Sequence, residues 1–231
     1  MGKMFPFITE TWNPVAGACP FDCSYCWAKT LILRRGMVKY QGAPHLDEKA
    51  MQKIPHKGFI FVQDMSDIST LSLPDADRLI SELSGHEEAT YLLLTKNPDW
   101  YVMLSQHGVE FPNNVVLGAT IETNRAIGVS KAPHPTERFR ALAWLNHNLM
   151  MRRLFISIEP IMDFDRNYML TNISLLRPSD GVAIGYDNYY NNLPEPSLAK
   201  TTELIESLEK RRIRVYRKTL REANLGAAGV G

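Results

Sequence analysis

Residues 11–29 read TWNPVAGACPFDCSYCWAK and carry all three cysteines of the chain, Cys19, Cys23 and Cys26, spaced C-x3-C-x2-C. A secreted disulfide framework would spread an even number of cysteines along the sequence. An odd number packed into eight residues points instead to metal ligation in a reducing compartment. Three thiolates on one loop can hold three irons of a cubane [4Fe–4S] cluster, which leaves the fourth iron without a protein ligand. A small molecule with an amine and a carboxylate can chelate that open iron. The other reading is a structural zinc site. Zinc takes four protein ligands, and the nearest histidines, His45 and His56, lie well downstream.

Outward from this loop, short apolar runs alternate with helical pattern. The β-branched and aromatic composition predicts strands at Phe7–Trp12, Phe59–Gln63, Thr90–Thr95, Val115–Ile121, Leu154–Ile158 and Val182–Gly185, with a short seventh at Ile213–Tyr216. Helices are predicted at Pro74–Ser84, Pro98–His107, Pro135–Asn148, Arg166–Leu176 and Pro196–Arg211; several open on proline, which suits the first helical turn. Strand–helix alternation implies a parallel sheet with right-handed crossovers. Six such units fall short of the eight of a closed barrel. The expected fold is therefore an α/β, partial (β/α)6 TIM-type barrel with the cysteine loop after strand one. A doubly wound open sheet is the rival, weakened by the absence of G-x-G-x-x-G. Met37–Lys57 reads as an insertion near the mouth. Residues 1–224 are expected to form a single domain, and 225–231 a disordered tail.

Composition sets further bounds. Charged residues make up 22% and hydrophobic ones 45%, which is ordinary for a globular protein. No apolar run is long enough to span a membrane and no secretory signal is evident, so a cytoplasmic location without membrane partners is expected. The net charge of +1 argues against a dedicated, strongly basic nucleic-acid binder. The local cluster Arg211, Arg212, Arg214, Arg217, Lys218 and Arg221 reads as a solvated helix end or a basic patch.

The cysteine spacing, with aromatic Tyr25 before the last cysteine, resembles the radical SAM superfamily signature. The blocks TWNPVAGACPFDCSYCWAK, FVQDMSDIS, LLLTKNP, NVVLGATIETN, PTERFRAL and FISIEPIMDF resemble the spore photoproduct lyase and DNA repair photolyase-like branch, and a phage-associated radical SAM-like family, from about Thr9 to Arg221. The resemblance implies a [4Fe–4S] cluster on Cys19, Cys23 and Cys26, S-adenosylmethionine (SAM) as co-substrate, and a reductase or flavodoxin-type electron donor. Two departures fall where a substrate would sit. The phage-associated family usually carries G-G-E-S-G where this chain reads GYDNYYNN, and Lys-Gln where it has Lys218-Thr219.

Polar residues at the strand ends are the candidates for the site, because α/β barrels place their chemistry there. The resemblance assigns Tyr25, Gln63, Asp64, Ser66, Thr120, Glu122, Ser157 and Glu159 to cofactor binding. Asp64 and Ser66 offer acceptors to an ammonium. Thr120 and Glu122 share one side of a strand by period two, as do Ser157 and Glu159. Lys96 in a barrel mouth is costly unless it meets an anion (the SAM carboxylate, a substrate phosphate or Glu122), and the other reading is a lysine that reaches solvent at the rim. Glu122 has Lys96 or Arg125 as structural partner, and Glu159 has Arg138. Lys96, Tyr186 and Asp187 are the catalytic candidates. No cysteine remains to hold a second cluster or to donate a hydrogen atom, and Tyr186, Tyr189 and Tyr101 are the alternatives. The substrate binds over the open mouth, or a partner protein completes the site. A nucleic acid or nucleobase substrate, a peptide or small metabolite, and a non-enzymatic iron–sulfur or zinc protein are the three readings that result.

Overall fold

The computed structural model describes residues 4–149 and 153–223. In chain order its elements are β1 (Glu10–Trp12), β2 (Val15–Ala16), α1 (Trp27–Arg35), β3 (His45–Leu46), α2 (Glu48–Met51), β4 (Gly58–Val62), α3 (Leu73–Ser84), β5 (Ala89–Thr95), α4 (Asp99–Gln106), β6 (Val115–Thr120), α5 (Pro135–Asn148), β7 (Arg153–Ile158), α6 (Arg166–Leu176), β8 (Gly181–Ile184), α7 (Leu198–Lys210) and β9 (Val215–Arg217). Seven strands form one all-parallel sheet in the order β1-β4-β5-β6-β7-β8-β9. From β4 to β8 each strand is followed by a helix, and each next strand joins the edge left by the previous one. The sheet curls into a half-barrel, the partial barrel that the alternation of patterns predicts.

Local chemistry explains the helix boundaries. Ser72, Asp165 and Ser197 cap α3, α6 and α7 by accepting from backbone N–H groups of the first turn, which satisfies donors that have no intrahelical partner. At α5, His134 and Glu137 form a reciprocal capping box ahead of Pro135. The convex face of the sheet packs on the helices through Ile60, Leu93, Leu117, Ile156, Val182 and their helical partners Leu79, Leu142, Ile173 and Leu204. The concave face is aromatic. Phe61, Leu92, Val116, Phe155 and Ala183 meet Phe5 and Ile8 of the N-terminal segment. Phe7 lies 4.8 Å from Phe59, 5.6 Å from Phe155 and 4.5 Å from Tyr216, ring centre to ring centre. The segment before β1 thus plugs the concavity and spans the gap between the two sheet edges.

Two features are absent from the sequence reading. One is α1, directly after the cysteine loop. The other is the small antiparallel ladder that pairs β2, just ahead of the cysteine loop, with β3 inside the Met37–Lys57 region. The expected tail at 225–231 lies outside the described residues.

Candidate active site

The cysteine loop follows β1 and β2, at the C-terminal mouth of the half-barrel. All three thiols are free of disulfides; Cys23 is buried, Cys26 half-buried and Cys19 exposed. Cys26 is the N-cap of α1, its Sγ accepting from Lys29 N at 3.4 Å, so this sulfur sits at the N-terminal end of the helix. The β6–α5 loop fastens the cysteine loop from one side. Ser24 N donates to Val129 O at 2.9 Å, Lys131 N donates to Phe21 O at 2.7 Å, and Ser130 Oγ lies 3.2 Å from Cys23 Sγ. Asp22 adds ion pairs to Lys29 and Lys131.

A second fastener comes from the barrel. Glu122 follows β6, is 3% exposed, and takes three donors. Tyr25 Oη and Lys96 Nζ donate to its Oε1, the latter at 2.9 Å, and Arg138 Nη1 donates to its Oε2 at 2.7 Å. Arg138 also donates to Thr120 O at 2.8 Å and to Pro133 O at 2.7 Å. One guanidinium from α5 therefore ties the end of β6, the segment leading into α5 and the carboxylate that holds Tyr25. Lys96 Nζ lies 5.2 Å from the centre of the Tyr25 ring. Burial alone would raise the Glu122 carboxyl, but Lys96 and Arg138 outweigh it and bring it down to about 2. Burial and then the charge of Glu122 push the Tyr25 hydroxyl well above its ordinary value, so it stays a donor. Burial acts to lower Lys96, and the Glu122 charge overrides it and raises it.

The turn after β4 carries the next group. Gln63 has φ +70° and is 2% exposed. Its Oε1 accepts from Val15 N at 2.8 Å, while its Nε2 has no partner. Ser66 Oγ is likewise buried without a partner. Asp64 exchanges two bonds with Asn13: Asn13 Nδ2 donates to Asp64 Oδ1 at 2.8 Å, and Asp64 N donates to Asn13 Oδ1 at 2.9 Å. Burial raises Asp64, opposed by the Asn13 bond. Asp67 is structural. Its two oxygens accept from Ser69 N, Ser69 Oγ, Thr95 Oγ1 and Lys96 N. It thereby aims Lys96 at Glu122.

Further round the sheet, Thr120 and Ser157 are register partners on β6 and β7, and both are buried. Glu159 pairs with Lys218 at 2.6 Å, and Lys218 also donates to Met4 O and lies 4.8 Å from the Phe5 ring centre. Burial raises Glu159, with Lys218 opposing. Gly185 makes this pair possible, since a Cβ there would come within 2.8 Å of Lys218 Cβ.

Lys96, Glu122 and Tyr25 thus come together with the cysteine loop, while Gln63, Asp64 and Ser66 gather on the adjoining turn. Tyr186 stands apart: it is fully buried in the sheet–helix layer, its hydroxyl donating to Pro196 O at 3.0 Å and lying 2.8 Å from Thr201 Oγ1. Asp187 holds its own loop by accepting from Tyr189 N, Asn191 N and Asn191 Nδ2. Tyr101 is engaged on Leu93 O and Gly118 O. Of the two partners expected for Glu122, Lys96 is the one it meets, while Arg125 binds Asp163. Glu159 departs from expectation, meeting Lys218 and not Arg138. Lys218, noted in the sequence as part of a basic run and in the Lys218-Thr219 departure, faces inward to Glu159.

Three thiolates on one loop are the donor set that a cubane cluster takes, each on a different iron, whereas a structural zinc takes four protein ligands. Among the described residues no group of three His, Cys, Asp or Glu side chains is already placed to hold a metal ion. The unpartnered Gln63 Nε2 and Ser66 Oγ are buried polar atoms of the kind a bound ligand would satisfy.

A curled parallel half-barrel with a three-cysteine loop at its C-terminal mouth is the radical SAM type of fold, and solved structures of that type resemble it. Streptococcus suis SuiB bound to S-adenosylmethionine aligns with a TM-score of 0.54 and 12% identity over 92% of this chain and 50% of SuiB. SuiB bound to precursor peptide SuiA aligns with 0.54 and 11% over 92% and 49%. A spore photoproduct lyase with dinucleoside spore photoproduct aligns with 0.54 and 12% over 87% and 61%. The chain spans about half the length of SuiB. By sequence the chain belongs to the family described as protein of unknown function (DUF5131), which matches residues 4–176. No curated protein matches it.

Proposed function

We propose that this chain is a radical SAM enzyme that holds a [4Fe–4S] cluster on Cys19, Cys23 and Cys26 and cleaves SAM to a 5′-deoxyadenosyl radical. The carrying observation is the cysteine loop itself, fastened at the mouth of the half-barrel by the Tyr25–Glu122 bond and by the 129–131 backbone. When bound, the cluster would supply one electron to the sulfonium of SAM, and the resulting C–S cleavage would provide the group that takes a hydrogen atom from substrate.

The chain's own residues hold and orient. Ser66 Oγ offers an acceptor to the SAM ammonium, and Gln63 Nε2 offers a donor to an oxygen. Thr120 and Ser157 line the same strand ends. The phenyl-filled concavity beneath keeps water out from below. Glu122 is already committed to three donors, so its role is to position Tyr25 and Lys96 rather than to transfer protons.

The substrate we favour is a nucleobase, free or in a nucleic acid. Tyr189 and Tyr190, 60% and 70% exposed, stand on the loop that follows β8, with the Arg221 guanidinium 5.8 Å from the Tyr190 ring centre. Exposed aromatic rings of this kind suit base stacking. A peptide substrate is the second reading, favoured by the likeness to SuiB bound to its precursor peptide.

Anaerobic reconstitution with iron and sulfide, followed by dithionite and SAM, tests the central reading. Wild type should yield 5′-deoxyadenosine and Cys23→Ala should not. A fully loaded cluster that leaves SAM intact would make this a non-enzymatic iron–sulfur protein, and zinc in place of iron would remove the proposal altogether.

A further inference from the structure

The segment between β8 and α7 is irregular, and it is held by a residue beyond β9. Arg221 forks onto the Glu195 carboxylate: Nη1 donates to Oε2 and Nη2 to Oε1, each at 2.7 Å. Nη2 also donates to Asp187 O at 2.7 Å. One guanidinium thus ties both ends of the 187–195 segment. The Glu195 side chain is 2% exposed and that of Arg221 22%, so this is a shielded bidentate pair, a strong form of such contacts. The guanidinium carbon lies 5.2 Å from the Tyr186 ring centre and 5.8 Å from that of Tyr190, within cation–π range of both. Inside the segment, Asp187 accepts from Tyr189 N, Asn191 N and Asn191 Nδ2. Tyr190 and Asn192 have φ of +56° and +53°, a conformation that residues other than glycine keep where the surroundings enforce it.

What the segment covers gives the clamp its meaning. Leu193 is buried and packs in one apolar group with Cys23, Tyr25 and Met162, with Phe21, Cys26 and Val129 against it. Beside it, Pro194 O accepts from Asp163 N at 2.6 Å. The cysteine loop is therefore covered by a third segment, besides Glu122 and the 129–131 backbone. That segment reaches it from the far side of the sheet, where β8 and β9 end.

We infer that Arg221 is a positioning residue for the cysteine loop: its clamp on Asp187 and Glu195 keeps Leu193 over Cys23 and shields that sulfur from solvent. The functional meaning rests on the reading of Cys23 as a cluster ligand, since the same cover would then limit the access of dioxygen to the cluster. Tyr189 and Tyr190 stand on the same segment, so the clamp also fixes these exposed rings relative to the cysteine loop.

The test measures the alkylation rate of each cysteine in metal-free protein, with the modified sites located by peptide mass spectrometry. Arg221→Ala removes the clamp. Arg221→Met/Glu195→Gln removes both charges together and serves where the single variant does not fold, since the buried carboxylate is then gone as well. Both variants should raise alkylation of Cys23 by about tenfold, the shift that loss of a charge-assisted bond allows. Cys19, already exposed, should not change. Leu193→Ala should raise Cys23 by a similar factor, and adding Arg221→Ala to it should raise the rate little further, because both act through one contact. A role confined to general stability gives neither the selectivity for Cys23 nor the non-additivity. In reconstituted protein, iron–sulfur absorbance should decay faster in air in the variants than in wild type. Wild-type rates at Cys23 in the folded clamp variants would overturn the inference, as would equal rises at Cys19 and Cys23. A wild type that takes up no iron would count against the proposed function, while a rise confined to Cys23 would still establish the clamp.

Discussion

At the scale of the residue, the Glu122 carboxylate decides most. It is nearly without solvent, and its charge is compensated by Lys96 and Arg138 and read by the Tyr25 hydroxyl. Breaking a buried pair by removing one partner costs about 3–5 kcal/mol. Glu122→Gln should lower unfolding stability by about that amount in urea denaturation. The acid side carries a separate signature. Glu122 is held at about 2 in the folded protein against an ordinary 4.5. The depressed value means its stabilisation is whole above 4.5 and is lost as pH falls through about 2. Wild-type stability should therefore decline more steeply than that of Glu122→Gln across this window. Tyr25→Phe is the gentler probe. A hydrogen bond to a charged group contributes roughly 1.5–3 kcal/mol. Loss of this one should raise the reactivity of Cys23 toward a thiol reagent by about tenfold in metal-free protein, with circular dichroism unchanged. Equal reactivity would mean that the 129–131 backbone holds the loop alone.

At the scale of the element, the cysteine loop is built by segments far from it in sequence. Gly17 shows how tightly. It has φ +96°, and a Cβ there would lie 2.5 Å from Ala43 O and from Pro44 Cα, both backbone. Gly17→Ala should destabilise the protein by about 1–3 kcal/mol, from backbone strain and displacement of the 43–44 segment. It should also lower iron retention after reconstitution, because Gly17 lies two residues before Cys19. A stability loss with full iron retention would separate the β2–β3 ladder from the cluster loop. Most strands and helices were legible in the sequence. Helices α5 and α6 fall where the periodicity predicts, and each strand of the sheet is recovered with its ends shifted by a few residues. The larger shift is at β1, predicted from Phe7, because Phe7 lies on the concave face and pairs with no strand. Helix α1 was not legible. Its residues WAKTLILRR bury only Ala28, so no apolar stripe marks it.

At the scale of the whole molecule, one continuous sheet runs from β1 to β9, and the N-terminal segment packs through Phe7 against Phe59 of β4 and Tyr216 of the edge strand β9. Such a sheet has no seam at which to divide. Urea unfolding followed by fluorescence and by circular dichroism should give coincident transitions. Two resolved transitions would split the single domain expected for 1–224. Nucleic acid as substrate also belongs to this scale, because the net charge of +1 provides no general attraction. Binding of a labelled single-stranded oligonucleotide should be weak, modestly salt-dependent, and reduced by Tyr190→Ala by roughly 1–3 kcal/mol. An oligonucleotide affinity unaffected by Tyr190→Ala would move the substrate reading toward peptides. Among the described residues no helix is long and apolar enough to cross a membrane.

The sequence by itself determined the succession of βα units, the half-barrel they form, and the clustering of thiols after the first strand. These are matters of local periodicity and of spacing within one loop, and one dimension holds them. Only the tertiary structure decided which charges meet. Glu122 lies close in sequence to Arg125 yet binds Lys96 and Arg138, and Glu159 finds Lys218 across 59 residues. Strand order brings β5, β6 and α5 to one point and sets β9 beside β8, and the curl of the sheet carries Lys218 across to the carboxylate at the end of β7. The choice among partners of equal charge is made by that geometry, since any one of them satisfies the chemistry.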